Sequence, residues 1–172
     1  MALWLAGGVI TRAVAYDNDL FSLEIPLGFV GPTSNHITPT DNLIVGWAQN
    51  ATQIRAFVFN YEYASQLAGI PKDQRGQGAD QYLPGFLKGI EQRGSLSSVS
   101  TPTQMTLDGV PAVRVSWQGV GHGRSMVGTL YCVVVGTRVI SLQVEREQGT
   151  PRQDFDAAIK SIEAVRFKAP LQ

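Results

Sequence analysis

VSTPTQMTLDGVPAVRVSWQGVGHGRSMVGTLYCVVVGTRVISLQVERE, residues 99–147, is the stretch whose reading decides the fold. Asp108-Gly109 stands between two runs rich in β-branched residues, 99–107 and 110–118, and is a dipeptide suited to a type I′ hairpin turn. Gly136-Thr137 divides 125–135 from 138–147 in the same way, with glycine first as a II′ turn requires. Val113, Val115 and Trp117 alternate onto one face of their strand, and Ile140, Leu142 and Val144 onto one face of theirs. The expectation is a four-stranded antiparallel meander. Gly119, Gly121 and Gly123 read as a flexible hairpin loop that uses glycine to reach positive φ.

The chain after the meander carries the signals of a terminal helix. Thr150 suits the N-cap, Pro151 the first helical position, and Gln153 the third, which would close a capping box. Phe155, Ala158, Ile159 and Ile162 form one apolar stripe, and residues 165–167 a short closing strand. Before the meander, Phe21, Leu23 and Ile25 alternate as a half-buried strand, paired through the turn Asp17-Asn18-Asp19 with residues 12–16. Pro26 and Gly28 end it, and 31–42 read as a polar loop. Residues 43–48 and 53–63 make a second hairpin around Asn50-Ala51-Thr52. A helical turn at 64–69 and a hydrophilic loop at 70–78 follow. Tyr82, Leu83, Phe86, Leu87 and Ile90 then recur at helical spacing, with Pro84 in the first turn and Gly94 as the stop. The result is one α+β domain, an antiparallel sheet with helices packed against it.

Fourteen basic and fourteen acidic residues balance over 172 positions, which offers no electrostatic footprint for nucleic acid. Charged residues make up 16%, below the usual quarter or so, and the Ser, Thr, Gln and Gly surface suits a secreted or envelope protein. A single cysteine, Cys132, leaves no internal disulfide and no thiolate cluster. The apolar run 3–10, followed by Ala13-Val14-Ala15, reads in two ways: a truncated export signal, or an N-terminal arm of the fold. It lacks a preceding basic residue and is too short to cross a bilayer. Residues 1–15 are therefore set apart from a domain over 16–172.

Four stretches carry a family resemblance: YDNDLFSLEIPLGF (16–29), DGVPAVRVSW (108–117), GTLYCVVVGTRVISLQV (128–144) and FDAAIKSIEAVRF (155–167). Together they resemble the Mog/PsbP-like family. The resemblance implies an α/β/α sandwich with a central antiparallel sheet. The relatives it implies are in general not enzymes: lumenal photosystem accessory proteins, a Ran-binding protein, bacterial envelope lipoproteins of the DcrB-like kind, and chaperones of type VI secretion effectors. No cysteine stands near Ala15, which argues against a lipid anchor.

No stretch demands catalysis. The glycines at 119–123 lie between strands, without the helix N-terminus a phosphate loop needs, and Ser125 is not in a G-x-S-x-G elbow. Cys132 sits in the apolar run LYCVVV, where a free cysteine packs as a small hydrophobe. His36 and His122 are far apart, and a zinc ion would need carboxylates for most of its ligands. Asp17-Asn18-Asp19 lacks the glycine and glutamate of a calcium loop, and Glu145-Arg146-Glu147 reads as a solvated strand end. The residues singled out for contact with a partner are His122, Arg124, Trp47, Tyr61 and Tyr63, while Phe57 and Phe59 read as core aromatics. The expectation is a non-catalytic binding or accessory protein without a cofactor, bacterial and extracytoplasmic, which recognises a protein partner through a sheet face or the loops at 31–42 and 70–78. The alternatives are a cytosolic effector-associated chaperone, and a small hydrolase or ligand-binding enzyme around His122.

Overall fold

The computed structural model describes residues 13–37, 42–61 and 78–168. Two strands open it, β1 (Val14–Asp17) and β2 (Phe21–Ile25). Their turn is built by Asn18, whose Oδ1 accepts the N–H groups of Leu20 and Phe21 at 2.8 and 2.9 Å. β3 (Val30–Ile37), β4 (Asn42–Gln49) and β5 (Thr52–Asn60) follow. A single 3-10 turn (Asp80–Tyr82) leads into α1 (Leu83–Glu91), where Pro84 occupies the first turn as expected. Next come β6 (Gly94–Val99), β7 (Thr103–Leu107), β8 (Val110–Gly121), β9 (Arg124–Val135) and β10 (Arg138–Glu147). α2 (Gln153–Glu163) and β11 (Arg166–Phe167) complete the described chain.

The strands form two sheets. The larger runs β3-β4-β5-β10-β9-β8, all antiparallel, with β6 and β7 both on the outer side of β8. The smaller is β1-β2-β11. The alternation of β8, β9 and β10 sets the layers. Tyr131, Val133, Ile140, Leu142 and Val144 face α2 and β2, where Phe155, Ala158, Ile162, Phe21 and Leu23 meet them. Val113, Val115, Trp117, Leu130, Cys132 and Val139 face Tyr82, Leu83, Phe86 and Ile90 of the α1 layer. β9 is covered on both sides, and that is why LYCVVV runs apolar without alternation. The fold is α+β, an α/β/α sandwich around an antiparallel sheet.

The expected meander forms, and five expectations about the chain are corrected. The 99–107 run is not one strand: β7 pairs with residues 110–114 and β6 with 117–121, so two short strands share the edge of one long partner. The 119–124 loop is only the two-residue turn His122-Gly123, at φ 51° and 74°, with Gly121 and Arg124 already paired. The type I′ twist matches the strands, so they continue to the tip instead of fraying into a loop. Residues 31–37 are strand, not loop; Thr33 and Ser34 are exposed, so pairing with β4 holds them and no apolar alternation marks them. Residues 38–41 lie outside the described chain, as do the turn at 64–69 and all but Gly78 of the loop at 70–78.

The capping box is the fourth. α2 begins at Gln153 without a side-chain cap, because the Thr150 hydroxyl donates instead to the Glu147 carbonyl at 2.6 Å and closes the turn after β10. Asp154 and Asp156 still place negative charge in the first turn, where the helix dipole favours it. Likewise, Gly94 does not stop α1; the helix ends at Glu91, and Gly94 opens β6 three residues later. At the far end, Asp108 ties β11 to the β7–β8 turn: Arg166 Nη1 lies 2.7 Å from its Oδ1, and Phe167 N donates to its Oδ2 at 2.8 Å.

Candidate functional site

The register of β4, β5 and β10 builds a groove beneath α1. Phe57 stands opposite Ser141, Phe59 opposite Val139, and Arg55 opposite Gln143, all on the α1 face; Ile44 of β4 pairs with Phe57. α1 covers part of this row with Phe86, whose ring centroid lies 5.5 Å from that of Phe59. On its own turn facing the row, the helix carries Gly85 and Gly89, and the gap that remains is a cavity of about 490 Å³. Its lining among the described residues holds Lys88, Gln92, Arg93 and Gln143 as polar members and no aspartate or glutamate. A concave, mostly apolar space of this size with a few converging polar groups is what small-ligand sites look like.

A charged cluster closes one end. Glu145, expected to be solvated, is 8% exposed. Arg55 Nη1 lies 3.0 Å from its Oε1, and Arg93 Nη2 lies 3.7 Å from its Oε2. The correction has a physical reason: Glu145 falls on the α1 face of β10, beneath the helix end that brings Arg93, and a buried carboxylate survives only when paired. Arg93 lies over the Phe57 ring, 5.9 Å from its centroid. Burial, and then the charge of Arg55, push the Arg93 pKa down, against a smaller opposing pull from Glu145. Next to Arg93, Gln143 is 4% exposed, donates from Nε2 to Ser141 Oγ at 3.1 Å, and leaves Oε1 buried without a partner.

The residues singled out from sequence scatter. His122 is exposed at the β8–β9 turn and borders a recess of about 30 Å³ beside Arg55, Arg93 and Glu145, space for about one water. Arg124 pairs with Glu147 at 2.9 Å, an exposed pair. Trp47 is not at the surface. It is 4% exposed in the α2-side core, with Tyr16 edge-on at 4.9 Å between centroids. Tyr61 is half-buried against the α1-side cluster, and Tyr63 lies outside the described residues. Phe57 and Phe59, read as core, are the half-buried walls of the groove. Arg93 and Gln143 carried no motif; the alternation Ser141, Gln143, Glu145 opposite Ile140, Leu142, Val144 is the signal that points to the polar row. Cys132 is fully buried as expected, and burial pushes its thiol pKa well up.

A second surface lies at the edge of the large sheet. β3 pairs only with β4 among the described residues, and near its start Val30 and Leu27 are 78% and 56% exposed. No helix of the described residues is long and apolar enough to cross a membrane.

No family model and no curated protein matches the chain by sequence. Solved structures do match by shape. The cyanobacterial PsbP (CyanoP) of Synechocystis sp. PCC 6803 is 13% identical with a TM-score of 0.61, over 94% of this chain and 96% of its own. LpqN, involved in cell envelope biogenesis of Mycobacterium tuberculosis, is 16% identical with a TM-score of 0.55, over 86% and 83%. The Saccharomyces cerevisiae Ran-binding protein Mog1p is 8% identical with a TM-score of 0.51, over 90% and 96%. At these identities the likeness is one of fold, and it matches the Mog/PsbP-like expectation.

Proposed function

We propose that this Mog/PsbP-like chain is a non-catalytic accessory protein of a bacterial envelope, acting outside the cytoplasm, and that it holds a protein partner along the open edge of β3. The observation that carries the reading is that, among the described residues, β3 pairs with β4 alone. A strand paired on one side only offers a row of N–H and C=O groups that an extended segment of another protein can complete. Val30 and Leu27 stand exposed beside it and supply apolar contact. Fold relatives lend support by their own descriptions: Mog1p is a Ran-binding protein, and LpqN is involved in cell envelope biogenesis. Glu145, the carboxylate that borders the same recess as His122, is engaged by Arg55 and Arg93, which leaves that histidine a poor centre for hydrolysis.

The test is photo-crosslinking in the native host from a probe residue placed at Thr33 or Ser34, with Arg152, exposed on another face, as the control position. The expected result is one discrete partner captured from β3 alone and lost in the double variant Leu27→Glu, Val30→Glu, which keeps the parent melting temperature. Capture that is equal from Arg152, or unchanged in the double variant, contradicts the reading.

A further inference from the structure

We propose that the groove under α1 is a binding site for a single-chain amphipathic carboxylate, whose apolar body lies against Phe57, Phe59 and Phe86 and whose carboxylate lies on Arg93. This site is separate from the β3 edge and does not rest on the partner reading.

Charge points to an anion. Two guanidiniums, Arg55 and Arg93, share one carboxylate, Glu145, so the cluster holds one positive charge in excess. Arg55 has the close contact, at 3.0 Å, and Arg93 the long one, at 3.7 Å. Arg93 Nη2 is buried and makes no hydrogen bond. The side chain as a whole is 34% exposed, and its one dry, unbonded nitrogen is stabilised by an acceptor that carries charge. Burial and the like charge of Arg55 already disfavour its cationic form, and the opposite charge of a bound carboxylate offsets them. Lys88 stands exposed in the same lining, which holds no acidic side chain among the described residues, and the neighbouring Glu145 carboxylate is already shared by two guanidiniums.

The shape points to an apolar body. Ile44, Phe57, Phe59, Phe86 and Val139 line the cavity, and its 490 Å³ falls inside the usual range for small-ligand sites. Gly85 and Gly89 leave the helix wall open, since a Cβ added at either meets no atom within 4 Å. Each glycine weakens a helix interior by roughly 1 kcal/mol relative to alanine, a cost that no packing among the described residues requires. Gln143 completes the polar end. Its amide, turned over, lets Oε1 accept the Ser141 hydroxyl and directs Nε2 at the ligand, so that both buried groups are satisfied on binding.

Titration calorimetry with laurate and with dodecanol separates the head group from the tail. The expected result is saturable one-to-one binding of laurate, at least about tenfold tighter than dodecanol, as one charge-assisted hydrogen bond supplies. Arg93→Gln is expected to lower laurate to the dodecanol level and to leave dodecanol unchanged. Gly89→Leu, which fills the groove from the helix side, is expected to abolish both. Should Arg93→Gln fail to fold, the wild-type comparison still decides. Laurate binding that is absent, unsaturable or no tighter than dodecanol overturns the proposal, as does undiminished laurate binding in folded Arg93→Gln or Gly89→Leu.

Discussion

Gly128 stands opposite Trp117 across β8 and β9, and the indole fills the space a side chain would take: an added Cβ would clash with Trp117 Cε2. Gly128→Ala is therefore expected to cost about 1–3 kcal/mol, read as a lower urea midpoint with a shifted tryptophan emission. Cys132 is expected to resist a thiol reagent such as DTNB until the chain unfolds, because the sulfur is fully buried and its thiolate is strongly disfavoured. Rapid labelling of native protein contradicts that placement. Asp108 carries a pH dependence. The hydrogen bond from Arg166, and then that from the Phe167 N–H, hold its carboxyl below the ordinary value of 3.8. A carboxyl depressed in the folded state stabilises above its unfolded pKa, and that contribution is lost as pH falls through the folded value. Asp108→Asn keeps an acceptor and removes the charge, so it is expected to melt below wild type at neutral pH, with the gap closing in acid. Cys132 was legible in sequence because its neighbours are uniformly apolar. Glu145 was not, because a polar residue alternating in a strand signals solvent, and only the arrival of Arg93 from another element converts that face into an interior.

At the scale of elements, α1 is short and weakened by its own composition. Gly85→Ala and Gly89→Ala are each expected to stabilise the chain by about 0.5–1 kcal/mol, since the new methyl groups have open space and the helix gains propensity. Urea unfolding of the single variants checks this; a loss of stability would mean that the groove wall is closed. Strands fixed by period-two alternation and glycine turns were readable, β2, β5, β8 and β10 among them. β3 was not. It lies at a sheet edge with its first residues exposed, so burial imposes no pattern on them, and Pro32 and Gly31 read as loop punctuation. The split of β6 from β7 was hidden for a related reason: both pair with the same β8, and a continuous polar run looks the same whether one strand or two cover its partner.

Across the whole molecule, the order of elements and the covered faces of β9 and β10 led from sequence to an α/β/α sandwich, and the fold relatives share it at identities of 8–16%. The groove did not emerge, because it needs the registers of three strands and the tilt of one helix, none of which a single segment encodes. We propose that the chain binds a partner through the β3 edge of its large sheet, while the central strands β9 and β10 do not take part. Hydrogen exchange of the chain alone and in complex with the partner captured by crosslinking tests this most directly. The account predicts that amides of residues 30–37 exchange readily in the free chain and become protected in the complex, while β9 and β10 stay unchanged. Protection confined to other segments, with β3 exchanging as in the free chain, would contradict it.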